Sequence, residues 1–366
     1  MNSRQRIRAA LNGEKIDRIP MLEIGFWPET LERWHQEGLP KGCSPHEYFG
    51  LDTIEFFAYD TSLRLPQITL EEAEETKTYV DSDGCKYRAW KNRQGAPFLL
   101  ESSVKDRDDW DRLKGNLDVD INRFENSKTA PVSGEIRQEG QLDFYRSCMK
   151  NDGFTVLTPY EPCWYFLRLL GEEEALVTMA SDPDFAEDII STCNEFNIGM
   201  IQLLYDKGYR FDAMWVFSDL AYKNGMLFSP DFYRRHVLSH HIRFFDFCRE
   251  KGMKVIYHSD GNVGELLPLL IEAGIDCIQP MEARAGNDVV EYSRLYGDRI
   301  SFIGNINADI LASDKESILE EIRRKMNGVK DTRRYLFHSD HSIPPTVSFE
   351  NYSYAIELAK KFGRHE

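Results

Sequence analysis

The chain has 366 residues, of which 42% are hydrophobic and 29% are charged, and its formal net charge is -16. This composition is typical of a globular protein with ample core. The excess of acidic residues argues against nucleic acid or an anionic membrane surface as the main partner, because both require a basic face. The seven cysteines are scattered and never form a C-x-x-C pair, and no apolar run reaches membrane-spanning length. Both features favour a cytoplasmic protein with reduced thiols.

The first part of the chain predicts short elements and one insertion. In chain order these are a surface helix over residues 3–11, a first strand at 18–26, a helix at 31–37 and a second strand-like run at 52–58. Between about residues 74 and 105, the Asp83-Gly84 dipeptide lies between short apolar runs, which predicts a β-hairpin or small meander. We expect this segment to be an insertion on the main domain.

From residue 154 onward, predicted strands and helices alternate. The strands lie at 154–158, 213–217, 253–258, 276–279, 300–306 and 334–338, and a helix follows each of them. Strict alternation with short links predicts parallel βαβ units. About eight strands, counted from residue 18, favour a (β/α)8 TIM barrel in a single domain, 1–366. An open, doubly wound sheet is the alternative, but the Rossmann glycine fingerprint and the P-loop are both missing.

Five successive predicted strands end in side chains that can ligate a metal, transfer a proton or hydrogen-bond a substrate. These are Ser218 and Asp219, His258 and Asp260, Gln279 and Glu282, Asn305 and Asn307, and finally His338, Asp340 and His341. The carboxyl ends of parallel strands meet at one rim of a barrel, where active sites lie. The series therefore predicts a polar pocket, although Ser218 or Asn305 alone would serve equally well as a cap for the next helix.

A metal site is one interpretation of this pocket. His258, Asp260 and His341 supply two imidazoles and a carboxylate, and an open fourth position would suit a catalytic zinc. Glu282 or Asp340 would then be a fourth ligand or a partner that orients an imidazole. The alternative, given equal weight, is a metal-free pocket in which the same groups bind substrate or transfer protons. His236 and His240 have helical spacing without the glutamate of H-E-x-x-H, and we interpret them as surface or packing residues.

Aromatic residues near other strand ends are candidates for an apolar ligand wall. They include Trp27, Tyr160, Trp164, Tyr165, Trp215 and Tyr222. Packing in the barrel core is the more common role of such residues.

Several segments, in order along nearly the whole chain, carry a family resemblance. They are SRQRIRAALNGEKIDRIP, SDLAYKNGMLFSPDFY, YHSDGNVGELLPLLIEAGIDCIQPME, FIGNINADIL and SDHSIPPTVSFENY. The chain resembles the uroporphyrinogen decarboxylase superfamily, in particular its methyltransferase-like branch of corrinoid-dependent enzymes. The resemblance implies a (β/α)8 barrel. Decarboxylases of the family hold a polycarboxylated tetrapyrrole with arginines near the N-terminus, whereas MLEIGFWPETLERW has no such signature. Uroporphyrinogen is therefore not the expected substrate.

The methyltransferases of this family carry zinc on a His-x-Cys pair and on a later Cys that precedes Gly-Ile-Pro-Pro. In this chain the corresponding positions are His258-Ser259-Asp260 and His341, so both thiolates are replaced. Such a site suits polarising an oxygen, for example the ether oxygen of a methoxy compound. Corrinoid proteins of these systems hold cobalamin through Asp-x-His-x-x-Gly, which is missing here. We expect cobalamin to arrive on a separate corrinoid protein.

The resulting hypothesis is a metal-assisted methyltransferase of the O-demethylase type, acting on a small methoxy substrate. Zinc would be held by His258, Asp260 and His341. The catalytic residues would be Asp219, Asp260, Glu282 and Asp340, and the substrate-binding residues would be Trp27, Tyr160, Asn305, Asn307 and His338. The first alternative is a cofactor-free decarboxylase of a small or aromatic acid, with Asp219 or Asp260 near the protonation site. The second is a ligand-binding protein without catalysis. The sequence leaves open whether the protein forms a homodimer.

Overall fold

A computed structural model describes residues 1–91, 97–127 and 140–364. Its strands are β1 (Ile54–Phe57), β2 (Ile68–Glu72), β3 (Thr76–Val80), β4 (Lys86–Trp90), β5 (Phe98–Glu101), β6 (Phe154–Leu157), β7 (Ala213–Phe217), β8 (Ala221–Tyr222), β9 (Gly225–Met226), β10 (Lys254–His258), β11 (Cys277–Gln279), β12 (Ser301–Ile303) and β13 (Tyr335–Leu336).

The helices before β7 are α1 (Ser3–Asn12), α2 (Pro28–Glu37), α3 (Pro45–Phe49), α4 (Arg107–Leu113), α5 (Asn122–Glu125), α6 (Gln141–Lys150), α7 (Pro162–Leu170), α8 (Glu172–Ser181) and α9 (Pro183–Asp206). The later ones are α10 (Pro230–Phe232), α11 (Leu238–Glu250), α12 (Leu266–Ala273), α13 (Val289–Tyr296), α14 (Ala308–Leu311), α15 (Lys315–Val329) and α16 (Phe349–Phe362). A π-helical turn, Tyr233–Val237, joins α10 to α11. None of the described helices contains a stretch that is both long and apolar enough to span a bilayer.

A curled parallel sheet forms the centre of the fold. Seven of the described strands pair in the order β1, β6, β7, β10, β11, β12 and β13. The six predicted strands from residue 154 onward all lie in this sheet. The predicted α/β barrel is therefore confirmed.

The segment around Met21 lies between the two edges of this sheet. Phe337 donates a backbone hydrogen bond of 2.8 Å to Pro20, and Leu22 donates one of 2.8 Å back to Phe337. On the other side, the Asp52 N–H donates to the Met21 carbonyl at 2.7 Å. This segment closes the barrel as its eighth strand position. The strand predicted at 18–26 is reduced to isolated bridges, and Pro20, which has no N–H to donate, is one reason that the ladder is short.

Alternate residues of the strands fill the barrel interior. Phe154, Trp215, Ile256, Ile303 and Leu336 form one buried cluster, together with apolar side chains of α1. The Ser301 hydroxyl, at the start of β12, donates to the Ala10 carbonyl of α1 at 3.0 Å. Helix α1 therefore covers the amino end of the strands. The opposite, carboxyl end is left for ligands, as in other barrels of this kind.

The predicted insertion is a four-stranded antiparallel sheet made of β2 to β5. It begins with β2 at Ile68, earlier than the predicted residue 74, and β2 is exposed throughout. The turn between β3 and β4 contains the predicted Asp83-Gly84, with Gly84 at φ 80°. The Tyr165 hydroxyl of α7 donates to Asp83 at 2.5 Å, which attaches the insertion to the carboxyl end of the barrel. Residues 92–96 of the predicted insertion lie outside the described residues.

Candidate functional site

The last inward-facing residues of three neighbouring strands form the floor of the site. Phe217, His258 and Gln279 are register partners across β7, β10 and β11. The rings of Phe217 and His258 stack with their centroids 4.7 Å apart. The Nδ1 atom of His258 hydrogen-bonds to the side-chain oxygen of Gln279. Because an amide oxygen only accepts, this contact places the proton on Nδ1 and leaves the lone pair on Nε2.

Two groups of ligand-capable side chains lie above this floor and share one residue. Asp219, His258 and Asp260 form the first group, and Asp260, Glu282 and His341 form the second, with the ligand atoms of each group within 4.8 Å of one another. The tertiary structure thus brings the ends of β7, β10, β11 and β13 to one mouth. His258 and His341 fall in different groups, with Asp260 as the link, so the three metal ligands predicted from sequence do not form one group.

Distances within the groups match a site in which nitrogens and carboxylates face a common point. The Nε2 atom of His258 is 3.7 Å from Asp219 Oδ1. The Nε2 atom of His341 is 4.0 Å from an oxygen of Asp260 and 4.0 Å from an oxygen of Glu282. On the other side of its ring, His341 Nδ1 is 3.7 Å from Asp340 Oδ1. Each imidazole therefore turns Nε2 toward carboxylates and Nδ1 toward an orienting side chain, as metal-bound histidines do.

Backbone N–H groups hold three of the four carboxylates in place. Asp219 accepts from the Asp260 N–H at 2.9 Å, and Glu282 accepts from the Gly261 N–H at 2.9 Å. Asp340 accepts from the N–H groups of Ala308 (3.0 Å) and Ala283 (3.2 Å). The Asp260 side chain is 41% exposed, and its carboxylate accepts no hydrogen bond from any described residue. It is therefore the carboxylate most available to a ligand.

The loop after β10 depends on glycine at residue 261. Gly261 has φ +83°, and a Cβ there would lie 2.6 Å from backbone atoms of Ala221 and Tyr222. The Asn262 N–H donates to the Tyr222 carbonyl at 2.8 Å, so the β8–β9 ribbon packs directly against this loop. The close approach fixes the direction in which Asp260 leaves its strand.

Crowding of negative charge shifts the proton affinities of the site. Burial, and then the neighbouring Asp260 carboxylate, raise the pKa of Asp219, against the opposing effect of His258. The Asp340 carboxylate, and then those of Asp260 and Glu282, raise the pKa of His341. Burial alone would raise the pKa of Asp340, but His341 and the Ala308 N–H lower it. A pocket with more carboxylates than cationic groups favours a bound cation or a retained proton.

A buried carboxyl lies behind the second His-Ser-Asp motif. Glu23 accepts from the Ser339 hydroxyl at 2.6 Å and from the Tyr352 hydroxyl at 3.2 Å. His338 Nε2 accepts from the Ile24 N–H at 3.0 Å, and it lies 3.3 Å from Glu23. Burial raises the pKa of Glu23 to about 8 and lowers the pKa of His338 to about 4. Glu23 lies in the strand predicted at 18–26 but is not among the predicted site residues, because its partners come from the far end of the chain.

A second buried network was also missed from the sequence. His241 donates to Glu161 at 2.5 Å, and the Tyr233 hydroxyl bonds to the other ring nitrogen at 2.7 Å. Glu161 also accepts from the N–H groups at the start of α7 and lies 3.5 Å from the Ser218 hydroxyl. This network connects α11 to the end of β7, next to Asp219. The neighbouring His236 and His240 both contact Glu187 on α9 instead.

The predicted substrate-binding residues occupy different environments. Tyr160 lies at the mouth, where its backbone pairs with Phe217. Asn305 is fully buried and donates to the carbonyls of Met281 and Asn287. Asn307 caps α14, and Trp27 is 41% exposed at the start of α2. His338 is 1% exposed. The substrate-binding roles of all five residues stay predictions.

Comparison with known proteins identifies the family. The model of the family "Uroporphyrinogen decarboxylase (URO-D)" matches residues 166–362. The uroporphyrinogen decarboxylase of Pelobacter propionicus is 26% identical over 140 residues, which are 38% of this chain and 40% of that protein. The enzyme of the same name from Streptomyces avermitilis is 26% identical over 175 residues, 48% of this chain and 46% of that protein. The chain thus spans less than half the length of these two relatives.

A solved structure shares the fold over the whole chain. A methyltransferase from Methanosarcina mazei superposes with a TM-score of 0.67 and 18% identity, covering 99% of each chain. The region of this chain that the family model matches includes both His-Ser-Asp motifs and every strand from β7 to β13. This chain belongs to the uroporphyrinogen decarboxylase family.

Proposed function

We propose that this protein is a methyltransferase that takes the methyl group from the oxygen of a methoxy substrate and passes it to a corrinoid carried by a separate protein. The observation that carries the proposal is the convergence of His258, Asp260, Glu282 and His341 at the carboxyl end of the barrel. The likeness in fold to a methyltransferase supports it. The free thiols of the chain agree with a reaction in the cytoplasm.

The side chains of the second group fit a divalent metal. Asp260, Glu282 and His341 offer oxygen and nitrogen donors, a set that zinc accepts, and they leave a position for substrate. Bound there, zinc would supply Lewis acidity to the ether oxygen of the substrate. In this proposal Glu282 replaces His258 as the third metal ligand, because His258 lies on the Asp219 side of Asp260.

Asp219 is the proposed proton donor. When the bond between methyl carbon and oxygen breaks, the oxygen retains the electron pair and requires a proton. Burial and the neighbouring Asp260 carboxylate raise the pKa of Asp219, which brings it closer to that of a general acid. His258 lies 3.7 Å away and is held flat by Phe217, so it can orient the Asp219 carboxyl. Asp340, 3.7 Å from Nδ1 of His341, orients the imidazole of that residue.

The corrinoid partner follows from what the chain lacks in sequence. No histidine is preceded by an aspartate two positions earlier, so the cobalamin-binding Asp-x-His-x-x-Gly motif is missing. The methyl acceptor must then come to the mouth from outside.

A decarboxylase of a small or aromatic acid is the second candidate, and the position of Asp219 at the mouth, where burial raises its pKa, is the observation that favours it. Loss of carbon dioxide leaves a carbanion that needs a proton, and an acid with a raised pKa supplies one without any cofactor.

The two candidates are separated by assaying one purified protein for both reactions. Methoxybenzene derivatives are mixed with protein and free cob(I)alamin, and the conversion to methylcobalamin is followed by absorbance. The same compounds carrying a carboxyl group are assayed for released carbon dioxide without cobalamin. We expect methyl transfer to be lost in Asp260→Asn and kept in Asp309→Asn, which changes an exposed aspartate. Carbon dioxide release without methyl transfer would establish the decarboxylase instead. Full methyl transfer by metal-free protein would reject the metal.

A further inference from the structure

Arg168, on α7, is an arginine whose hydrogen-bond donors are unused. Its side chain is 31% exposed, and its guanidinium lies over the rings of Tyr160 (5.1 Å) and Trp164 (5.3 Å). None of its N–H groups donates a hydrogen bond to a described residue, and Nε is buried without a partner. A guanidinium carries five N–H donors, and a buried donor without an acceptor is unfavourable. Such a group is prepared to receive an oxyanion.

Two carboxylates near Arg168 in the described structure, those of Asp81 and Asp83, are already engaged elsewhere. Asp83 accepts from the Tyr165 hydroxyl at 2.5 Å and from the Leu63 N–H at 3.0 Å. Asp81 lies 3.6 Å from Nη2, beyond hydrogen-bonding distance. Its other oxygen accepts from the N–H groups of Asp83 (3.0 Å) and Cys85 (2.9 Å) and so forms the turn between β3 and β4. The insertion therefore keeps Arg168 in place electrostatically without satisfying its donors.

An unbroken aromatic surface joins Arg168 to the candidate site. Trp164 lies 5.5 Å from Phe217, and Phe217 stacks on His258 at 4.7 Å. Tyr160 flanks Trp164 at 5.1 Å. The rings of Trp164 and Phe217 therefore lie between the guanidinium and the imidazole. The faces of such rings favour stacking with another ring.

The two ends of this surface offer different groups to a ligand. Asp219, Asp260 and Glu282 make the inner end acidic and repel an anionic group there. At the outer end, Arg168 offers N–H donors that its neighbours Asp81 and Asp83 leave unused. A ligand with one anionic and one neutral end would therefore bind in a single orientation, because the reverse orientation places like charges together.

We propose that Arg168 binds the carboxylate of an aromatic acid, whose ring lies along Tyr160, Trp164 and Phe217 and whose neutral end reaches the group around Asp260. The choice of a methoxy group for that neutral end rests on the proposed function. Recognition of the acid does not, because it uses only the outer end of the site.

The test compares 4-methoxybenzoate with 4-methoxybenzamide, its neutral analogue of the same shape, by isothermal titration of the full-length protein. We expect 4-methoxybenzoate to bind at least tenfold more tightly than 4-methoxybenzamide, which corresponds to about 1.4 kcal/mol. Arg168→Gln should remove this preference while leaving the Kd of the amide within about twofold, which also shows that the variant is folded. Arg299→Gln is the control, because Arg299 is an exposed arginine that lies over Tyr296 in the same manner (5.3 Å).

Equal binding of the two compounds to the wild type, no binding of either, or a preference that persists in Arg168→Gln would each overturn the proposal. The titration needs neither metal nor cobalamin, so its result is independent of the proposed reaction. Arg168-dependent binding without methyl transfer would refute the reaction and leave this site standing. Methyl transfer from the amide and the acid at equal KM would refute this site and leave the reaction standing.

Discussion

The imidazole of His258 lies flat against the ring of Phe217, with 9° between the two planes. The two residues are register partners on adjacent parallel strands, so the stacking follows from the sheet itself. Stacking fixes the plane of the imidazole, and Gln279 fixes its protonated nitrogen. His258 is therefore preorganised to present Nε2 toward Asp219.

Gln279→Leu should disturb His258 without unfolding the barrel. The substitution introduces an apolar side chain of similar size and removes the acceptor for Nδ1–H, so the tautomer is no longer fixed. Loss of such an orienting partner typically lowers metal affinity or activity about 10–100-fold. We expect a fall in methyl transfer of that size with an almost unchanged melting temperature. Gln202→Leu, which removes an amide that bonds to Asp206 and Lys251 away from the mouth, is the control. Equal rates in both variants would show that Gln279 does not orient the site.

Metal content should depend on the carboxylate shared by the two groups. Asp260→Asn weakens the donor that both groups use, so the metal bound per chain should fall close to zero after dialysis against zinc. Asp309→Asn, the same change at an exposed position, should bind as the wild type does. Elemental analysis of the two variants gives the answer without an activity assay. Stoichiometric metal in Asp260→Asn would remove Asp260 from the ligand set.

Glu23 should make the stability of the protein fall as the pH rises above neutrality. Burial raises its pKa from 4.5 to about 8, so the protonated carboxyl stabilises the fold at low pH and this contribution is lost as the pH rises through 8. His338, with its pKa lowered to about 4, acts in the opposite direction, but only below the ordinary histidine value of about 6.5. Between pH 6.5 and 8 His338 therefore no longer opposes the Glu23 effect, which has a limiting slope of about 1.4 kcal/mol per pH unit.

Glu23→Gln keeps a neutral, hydrogen-bonding side chain and removes this titration. The melting temperature of Glu23→Gln minus that of the wild type should rise from pH 6.5 to 8.5, as measured by calorimetry. The exposed Glu320→Gln should follow the wild type at every pH. Parallel curves for Glu23→Gln and the wild type would mean that Glu23 is ionised in the native protein.

The His241–Glu161 pair should contribute strongly to folding stability. Both side chains are fully buried, so His241→Phe leaves the Glu161 carboxylate short of a donor and the Tyr233 hydroxyl without its partner. We expect a loss of about 3 kcal/mol in the free energy of unfolding, measured with denaturant. His240→Phe, at a half-buried position that contacts Glu187, should cost less than about 1 kcal/mol. A loss below 1 kcal/mol in both variants would contradict the network.

The amino-acid sequence determined the barrel and the mouth of the site. Strands and helices alternate from residue 154 onward, and parallel strands must end at one rim, so the polar residues after each strand could be assigned to one pocket. Asp219, Asp260, Glu282 and His341 lie there because of this local order, which needs no distance information. Strand periodicity did not reveal the closure by the segment around Met21, because only isolated bridges form there.

The tertiary structure alone decided which of these residues can share a ligand. The curvature of the sheet places His258 and His341 in separate groups with Asp260 between them, and no sequence pattern encodes the width of the mouth. Glu23, Glu161 and His241 have partners up to 329 positions away in the chain, so their burial and their altered chemistry depend on packing. Arg168 likewise carries no motif. Its unused donors are a property of the folded chain, because hydrogen bonds are satisfied or left open only when distant segments meet.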